Sequence, residues 1–456
     1  MAKISENRRR GWKQRAWLLF AIVTFVGCFQ QVYLNWLYPV FGYYGFEHSH
    51  PKIGYLLLAW GLSVGPALWM PIKLTRPSQL IYWVLYLTVF IPSMFVPLYV
   101  GLQDAPEVAG LMVTLFAGFA ITGTSCYLPL LRLHPPSMSS RAFSRIFFCV
   151  TAGLMLWVFL IFRGNFRIVS FADVYDLRSA ADDIMEGSSV HYAVMWLSAV
   201  IGPCLMAWGI VRKRASMFLA GVFVQGFVYS AMGAKSVIVS ILVVPVLAFI
   251  LRDKGASFGL KVSWSCALLT LVLYMGRSVG GSESLFFWLF SLVFMRTFGN
   301  SGLTTAWYHD FFLRNPPTYY SHVKGVSWFV MYPYTNPLGI EVGSFYSGDP
   351  TLDANAHFWA TDGLAAWGLW GVLVVSAVCA LVFWILDSTA KGHDLQLTAL
   401  MVSFAAVNLA NISLFTSLLS GGLGLLMMFL YFAPRNYAES ANARIGYPVM
   451  APLSQP

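Results

Sequence analysis

Charge is what this sequence has least of. Only 11% of its 456 residues are Asp, Glu, Lys or Arg, against 58% that are hydrophobic, whereas soluble domains carry about 25% charged residues. A soluble fold of this length is therefore excluded. The six cysteines, at 28, 126, 149, 204, 266 and 379, all fall inside apolar runs and form no CxxC. Structural disulfides and cysteine-bound zinc are not expected. HExxH is absent, and the only adjacent acids, Asp182-Asp183, are not a DxD pair. There is no Walker A sequence and no Rossmann glycine fingerprint, and no serine nucleophile elbow is read, so metal and nucleotide chemistry have no visible home. Fixed-period repeats of the soluble kind are missing too. The first apolar run is too long for a cleaved signal peptide and has no small-residue cleavage site after it.

What the chain does have is long apolar runs. Twelve are read, at 16–38, 53–72, 80–100, 109–131, 146–162, 191–211, 216–233, 236–251, 262–276, 359–386, 397–415 and 418–434. Each is long enough, or nearly so, to cross a bilayer as a helix. The expectation is a single all-α integral membrane domain over 1–456. Twelve crossings place both termini on one side, together with 20 of the 29 basic residues but only 5 of the 19 acids. The formal charge is then +15 on that side and −5 on the other. Short basic loops stay cytoplasmic, so both termini are expected inside. The overall +10 reads as a topology signal, not as a nucleic-acid-binding face.

Two connections on the outer side are long, 163–190 and 277–358, and long loops in compact proteins are usually functional. The first contains FADVYDLRSAADDIMEG, 171–187, whose Phe171, Val174, Leu177 and Ala181 recur at helical spacing. A short amphipathic helix on the membrane surface is expected there. Arg178 lies among Asp173, Asp176, Asp182 and Asp183, a pattern that also fits a solvated helix with an i,i+4 ion pair. The second loop opens with SLFFWLFSLVFM, 284–295, too short to span and read as an interfacial or re-entrant helix. It delivers Arg296 to the headgroup level, where a guanidinium suits phosphate or simply snorkels. Lys235 stands at the start of a span, where helix N–H groups attract anions. The stretch LDANAHFWATDGLAAWGLWG, 352–371, puts Asp353, Asn355, His357 and Asp362 at the mouth of a span. Asp362 also fits a plainer role, complementing the dipole of the helix it opens.

Three segments resemble the O-antigen (Wzy-type) polymerases of Gram-negative bacteria. FADVYDLR, 171–178, is similar to their Arg-bearing loop motif. MGAKSVIV, 232–239, looks like their Gly-x-basic segment. DANAHFWATDGLAAWGLWG, 353–371, resembles the Asn-containing segment that runs into a Gly-x-x-Gly span. The resemblance implies a GT-C-like glycosyltransferase of the bacterial inner membrane, with its site facing the periplasm. Its donor would be a growing glycan on undecaprenyl pyrophosphate, and its acceptor a repeat unit on the same carrier. Membrane lipids and a chain-length-regulating co-polymerase are the implied partners, with no nucleic acid and no cofactor. The chemistry must neutralise a departing pyrophosphate and take a proton from a hydroxyl. Arg178, Arg296 and Lys235 are the expected cations, and His357, then Glu341 and Asp353, the expected bases. Asn355, Asp176, Asp362, Tyr320 and Trp307 are expected against the substrate, aromatic rings serving the apolar faces of sugars. An O-antigen ligase using lipid A core, and a lipid-linked-glycan flippase, are the competing readings. A flippase should place paired charges in mid-span.

Overall fold

A computed structural model of the protein describes residues 2–136, 138–167, 174–185, 188–233, 235–276, 284–323 and 325–435. Within these, the side chains of 2–10, 174–176, 182, 235, 236, 238, 285, 286 and 293 lie outside the description. The chain is 76% helix and has no strand among the described residues. Every backbone N–H and C=O in hydrocarbon needs a partner, and a helix supplies it within one segment.

Among the described residues, nine helices are long and apolar enough to cross a membrane: Gly11–Tyr44, Ser78–Val100, Ala105–Cys126, Ser140–Phe162, Val190–Val211, Ala215–Met232, Phe258–Gly276, Trp359–Ala390 and Leu414–Phe432. The other three apolar runs are shorter helices, Ile53–Leu68, Lys235–Ile250 and Leu395–Leu409. Small residues let the helices approach closely, as in membrane helix pairs generally. A Cβ on Gly209 would lie 2.4 Å from the Phe218 backbone nitrogen.

Helix ends gather at two ends of the bundle. At the tail end, Arg15 donates to the Ala67 and Met70 carbonyls at 2.7 and 2.8 Å. Arg76 donates to Ser125 O at 2.8 Å. Asp387, almost fully buried, accepts from Ser78 N at 3.0 Å and Ser78 Oγ at 2.6 Å. At the loop end, Ser49 N donates to Tyr99 O, and Thr318 N to Ala365 O.

The structure corrects two expectations and bears on a third. First, the helix expected at 284–295 does not end there. Residues 285–314 form one helical stretch with a wide-turned π segment at Ser291–Gly299. Its first half packs on the first span, with Phe290 on Trp36 at 4.4 Å and Phe298 on Phe25 at 5.6 Å. Its second half is buried from Ser301 to Phe311. There Ser301 Oγ donates to Thr88 O at 2.6 Å, and Thr305 meets Ser93 at 2.9 Å. Hydropathy misses this half because Ser301, Thr304, Thr305, His309 and Asp310 use hydroxyl, ring and carboxylate bonds to neighbours in place of apolar side chains.

Second, the span read at 359–386 is a helical hairpin. Trp367 and Gly368 leave helical geometry, Gly368 at φ 58 and ψ −143, a region open essentially to glycine. Trp359 Nε1 donates to Ser376 Oγ at 2.9 Å, and a Cβ on Gly371 would lie 2.1 Å from Gly363 O. Residues 359–366 therefore fold back against 369–390. Third, Gly61 to Gly65 spell GLSVG, the string of a serine nucleophile elbow. Ser63 lies buried within the helix Ile53–Val64, not on a strand-to-helix turn, so no elbow results.

Candidate functional site at the loop end

The break at Trp367 and Gly368 interrupts the helical bonding of the preceding carbonyls. The segment after Asn315 uses them: Thr318 N donates to Ala365 O at 2.8 Å and Tyr319 N to Ala366 O at 3.0 Å. This docks residues 318–322 on the apex of the hairpin. The docked turn is strained. Tyr319 and Tyr320 have φ of 47 and 64, a left-handed conformation costing a side-chain-bearing residue about 1–2 kcal/mol. Tyr320 rests edge-on against Phe415 at 6.0 Å, and its buried hydroxyl has no hydrogen-bond partner. Burial, and then the Asp362 charge, push its phenol up to about 12.

Asp362 is the centre of the arrangement. Its side chain is fully buried. Its carboxylate accepts from Ser413 Oγ at 2.7 Å and from Leu414 N at 2.6 Å, and His322 Nε2 lies 3.2 Å away. Asp362 thus caps the helix Leu414–Leu418 of the last span, not the helix it was expected to serve. His322 Nδ1 lies 2.9 Å from Thr318 Oγ1, which also reaches Ala365 O at 3.1 Å. The Thr318 hydroxyl can donate to that carbonyl and accept from Nδ1–H, or turn and donate to Nδ1. Ala365 O keeps the Thr318 N–H in either arrangement.

His322 opens on a cavity of about 480 Å³, within the range of small-molecule sites. Three distant segments wall it. Met185, Ser188, Ser189, His191 and Tyr192 come from the end of the first long loop and the span start after it, His322 and Val323 belong to the second loop, and 413–420 open the last span. His191, Tyr192, Ser413, Thr416 and Ser420 supply polar groups beside His322.

The expected site residues divide sharply. Arg178 is exposed on the helix Val174–Met185, which packs on Ala215–Met232 through buried Leu177 and Ala181. Met185, two turns further along, lines the cavity. Arg296 is exposed on the π turn, with Tyr44 in its field, and does not line the cavity. His357 is fully buried, with Nε2 2.8 Å from Thr305 Oγ1, and has no access to the cavity. Glu341 accepts from the Thr335 and Asn336 backbone N–H groups at 3.2 and 3.0 Å and so fastens a loop. Asp353 accepts from the Asn355 amide. Trp307 is buried against Tyr346 at 5.3 Å, not open to a ligand. The Asp176 and Lys235 side chains lie outside the described residues. No cluster of three or more His, Cys, Asp or Glu able to hold a metal occurs among the described residues. Of the residues brought together at the cavity, His322, Thr318 and Ser413 carried no expectation. Their only sequence signal is a histidine in a Pro- and Tyr-rich turn.

No family model, curated protein or solved structure matches the chain.

Proposed function

We propose that the chain is a twelve-crossing, GT-C-like glycosyltransferase of the O-antigen polymerase kind, working on lipid-linked glycans at the periplasmic face. The observation that carries this reading is the cavity at the junction of both long loops and the last connection, walled by a histidine backed by a buried carboxylate. In this reading the acceptor hydroxyl gives its proton to His322, which takes the place given to His357. The hydroxyl oxygen forms the new bond to the anomeric carbon of the donor. The bond from that carbon to the pyrophosphate oxygen breaks, and undecaprenyl pyrophosphate leaves. Asp362 holds the imidazole and stabilises its charged form, as a carboxylate does behind a general base. Arg178 stands on the helix that ends in the cavity wall and meets the charge growing on the leaving group. Both termini lie in the cytoplasm, and a co-polymerase sets chain length.

The test is reconstitution with purified undecaprenyl-pyrophosphate-linked repeat units in detergent and EDTA. A ladder of lengthening glycans, lost in His322→Ala and Arg178→Ala, is the expected result. Transfer only onto lipid A core would make the protein a ligase. A second reading, a flippase, has one observation in its favour. The hairpin carries buried Asp362, with buried His357 just before it, into the bundle, and broken helices with buried ionisable groups mark transporter sites. Lipid crossing proteoliposome bilayers without any transfer would select it.

A further inference from the structure

The turn that carries His322 continues into the most exposed apolar tip among the described residues. Trp328 is 84% exposed, Phe329 87% and Met331 91%. Apolar side chains on the sides of the helices reach less, with Leu242 at 68% and Met275 at 69%. The tip is not a loose end. Val326 N and Ser327 N donate to Val323 O, and Phe329 N to Val326 O at 2.9 Å. Its C-terminal stem is pinned by Tyr332 to Asn336 O and by Tyr334 to Pro316 O, with the Tyr334 ring on Phe311 at 5.7 Å. The fold therefore spends its contacts on holding the shape of the turn while leaving three large apolar groups uncovered.

What covers them follows from where the turn is rooted. Thr318 and Tyr319 are bonded to the hairpin apex. There Trp367, Trp370 and Tyr319 are themselves 53%, 69% and 55% exposed. Trp and Tyr collect where hydrocarbon meets headgroups. Residues 315–337 contain no acid, so anionic headgroups would not repel the segment. An exposed patch of this kind needs an apolar phase, and a chain with nine apolar spans always has one beside it. We propose that residues 326–331 dip into the interfacial layer of the bilayer in which the protein sits and hold the His322 wall of the cavity at the membrane surface. This does not depend on the glycosyltransferase reading.

The test is a depth measurement on the full chain in liposomes. Spin labels are placed by Phe329→Cys and, as a reference, Thr351→Cys, with the six native cysteines replaced by Ala. Expected is a label at 329 relaxed by oxygen and shielded from aqueous nickel chelate, and the reverse at the exposed position 351. Nickel access at 329 equal to that at 351 would overturn the proposal, and so would shielding from both probes, which means protein covers the tip. Should the cysteine-free chain fail to fold, the unmodified protein is photolabelled by a lipid-dissolved diazirine. Label on the peptide spanning 325–335 supports the insertion, and its absence there, with labelled spans as control, overturns it.

Discussion

Asp362 and Asp387 belong to the same hairpin element, and both are buried. Each does one identical thing: it accepts from a serine hydroxyl and a backbone N–H at the start of another span, Ser78 for Asp387, and Ser413 with Leu414 for Asp362. Such caps stabilise a helix terminus and hold two spans in register. Of the two acids, Asp362 alone adds a histidine, and that histidine opens on a cavity. A buried acid in a span is thus not itself a sign of chemistry. The sign is a second titratable group bonded to it with a route to substrate.

The comparison can be broken most severely at His322. His322→Ala should lower transfer activity by about 10²–10⁴-fold, the range for losing a general base, well beyond what loss of its bonds to Asp362 and Thr318 takes from stability, about 0.5–1.5 kcal/mol each. An active His322→Ala protein would remove the difference between the two acids. Next, Asp362→Asn should cut activity by about 10²-fold or more, since a misplaced donor of charge stabilisation costs that much. Asp387→Asn should leave turnover per folded molecule intact. Its effect should appear in stability instead, with about 1–3 kcal/mol lost for each buried donor left facing an amide NH₂, read by thermal unfolding. The matched pair of Asn variants is the sharpest form of the contrast, because both replace a carboxyl oxygen by an amide NH₂ in an equally buried cap. A fourth expectation concerns the other histidine. His357→Gln should lower stability through the bond to Thr305, by about 0.5–1.5 kcal/mol, without the loss of turnover seen at 322. The smallest effect lies at the strained turn. Tyr319→Gly should change stability by less than about 1 kcal/mol, because relief of the strain at a φ of 47 is offset by the greater unfolded-state freedom of glycine and the loss of a half-buried ring.

Much of the scaffold was legible from apolar run length. All twelve runs coincide with helices, and nine of them with helices of spanning length. The junction of the two long loops with the span ends was legible as a place, because polar residues accumulate there. Which residues meet there was not. Gly368 turns a run of spanning length into a hairpin, and no count of apolar residues registers a fold-back. Ser301 to Asp310 hide a buried helix behind polar composition, since their polar atoms are satisfied inside the bundle. An imidazole's near-neutral character suits His357 to a base's role, but its stretch enters the protein and takes His357 away from solvent. His322 became visible only when Thr318 and Tyr319 were found on carbonyls 47 positions away.

The cap on Asp362 also sets an order of assembly. Its partners Ser413 and Leu414 are synthesised 51 and 52 residues later. Until the ribosome has made them, the emerging hairpin presents a carboxylate that its final surroundings have not yet enclosed. The fold-back of 359–366 rests on contacts within its own hairpin, but the acid it carries is fully satisfied only once the last span stands beside it. A chain truncated before Ser413 would leave that buried acid with His322 as its remaining partner among these three.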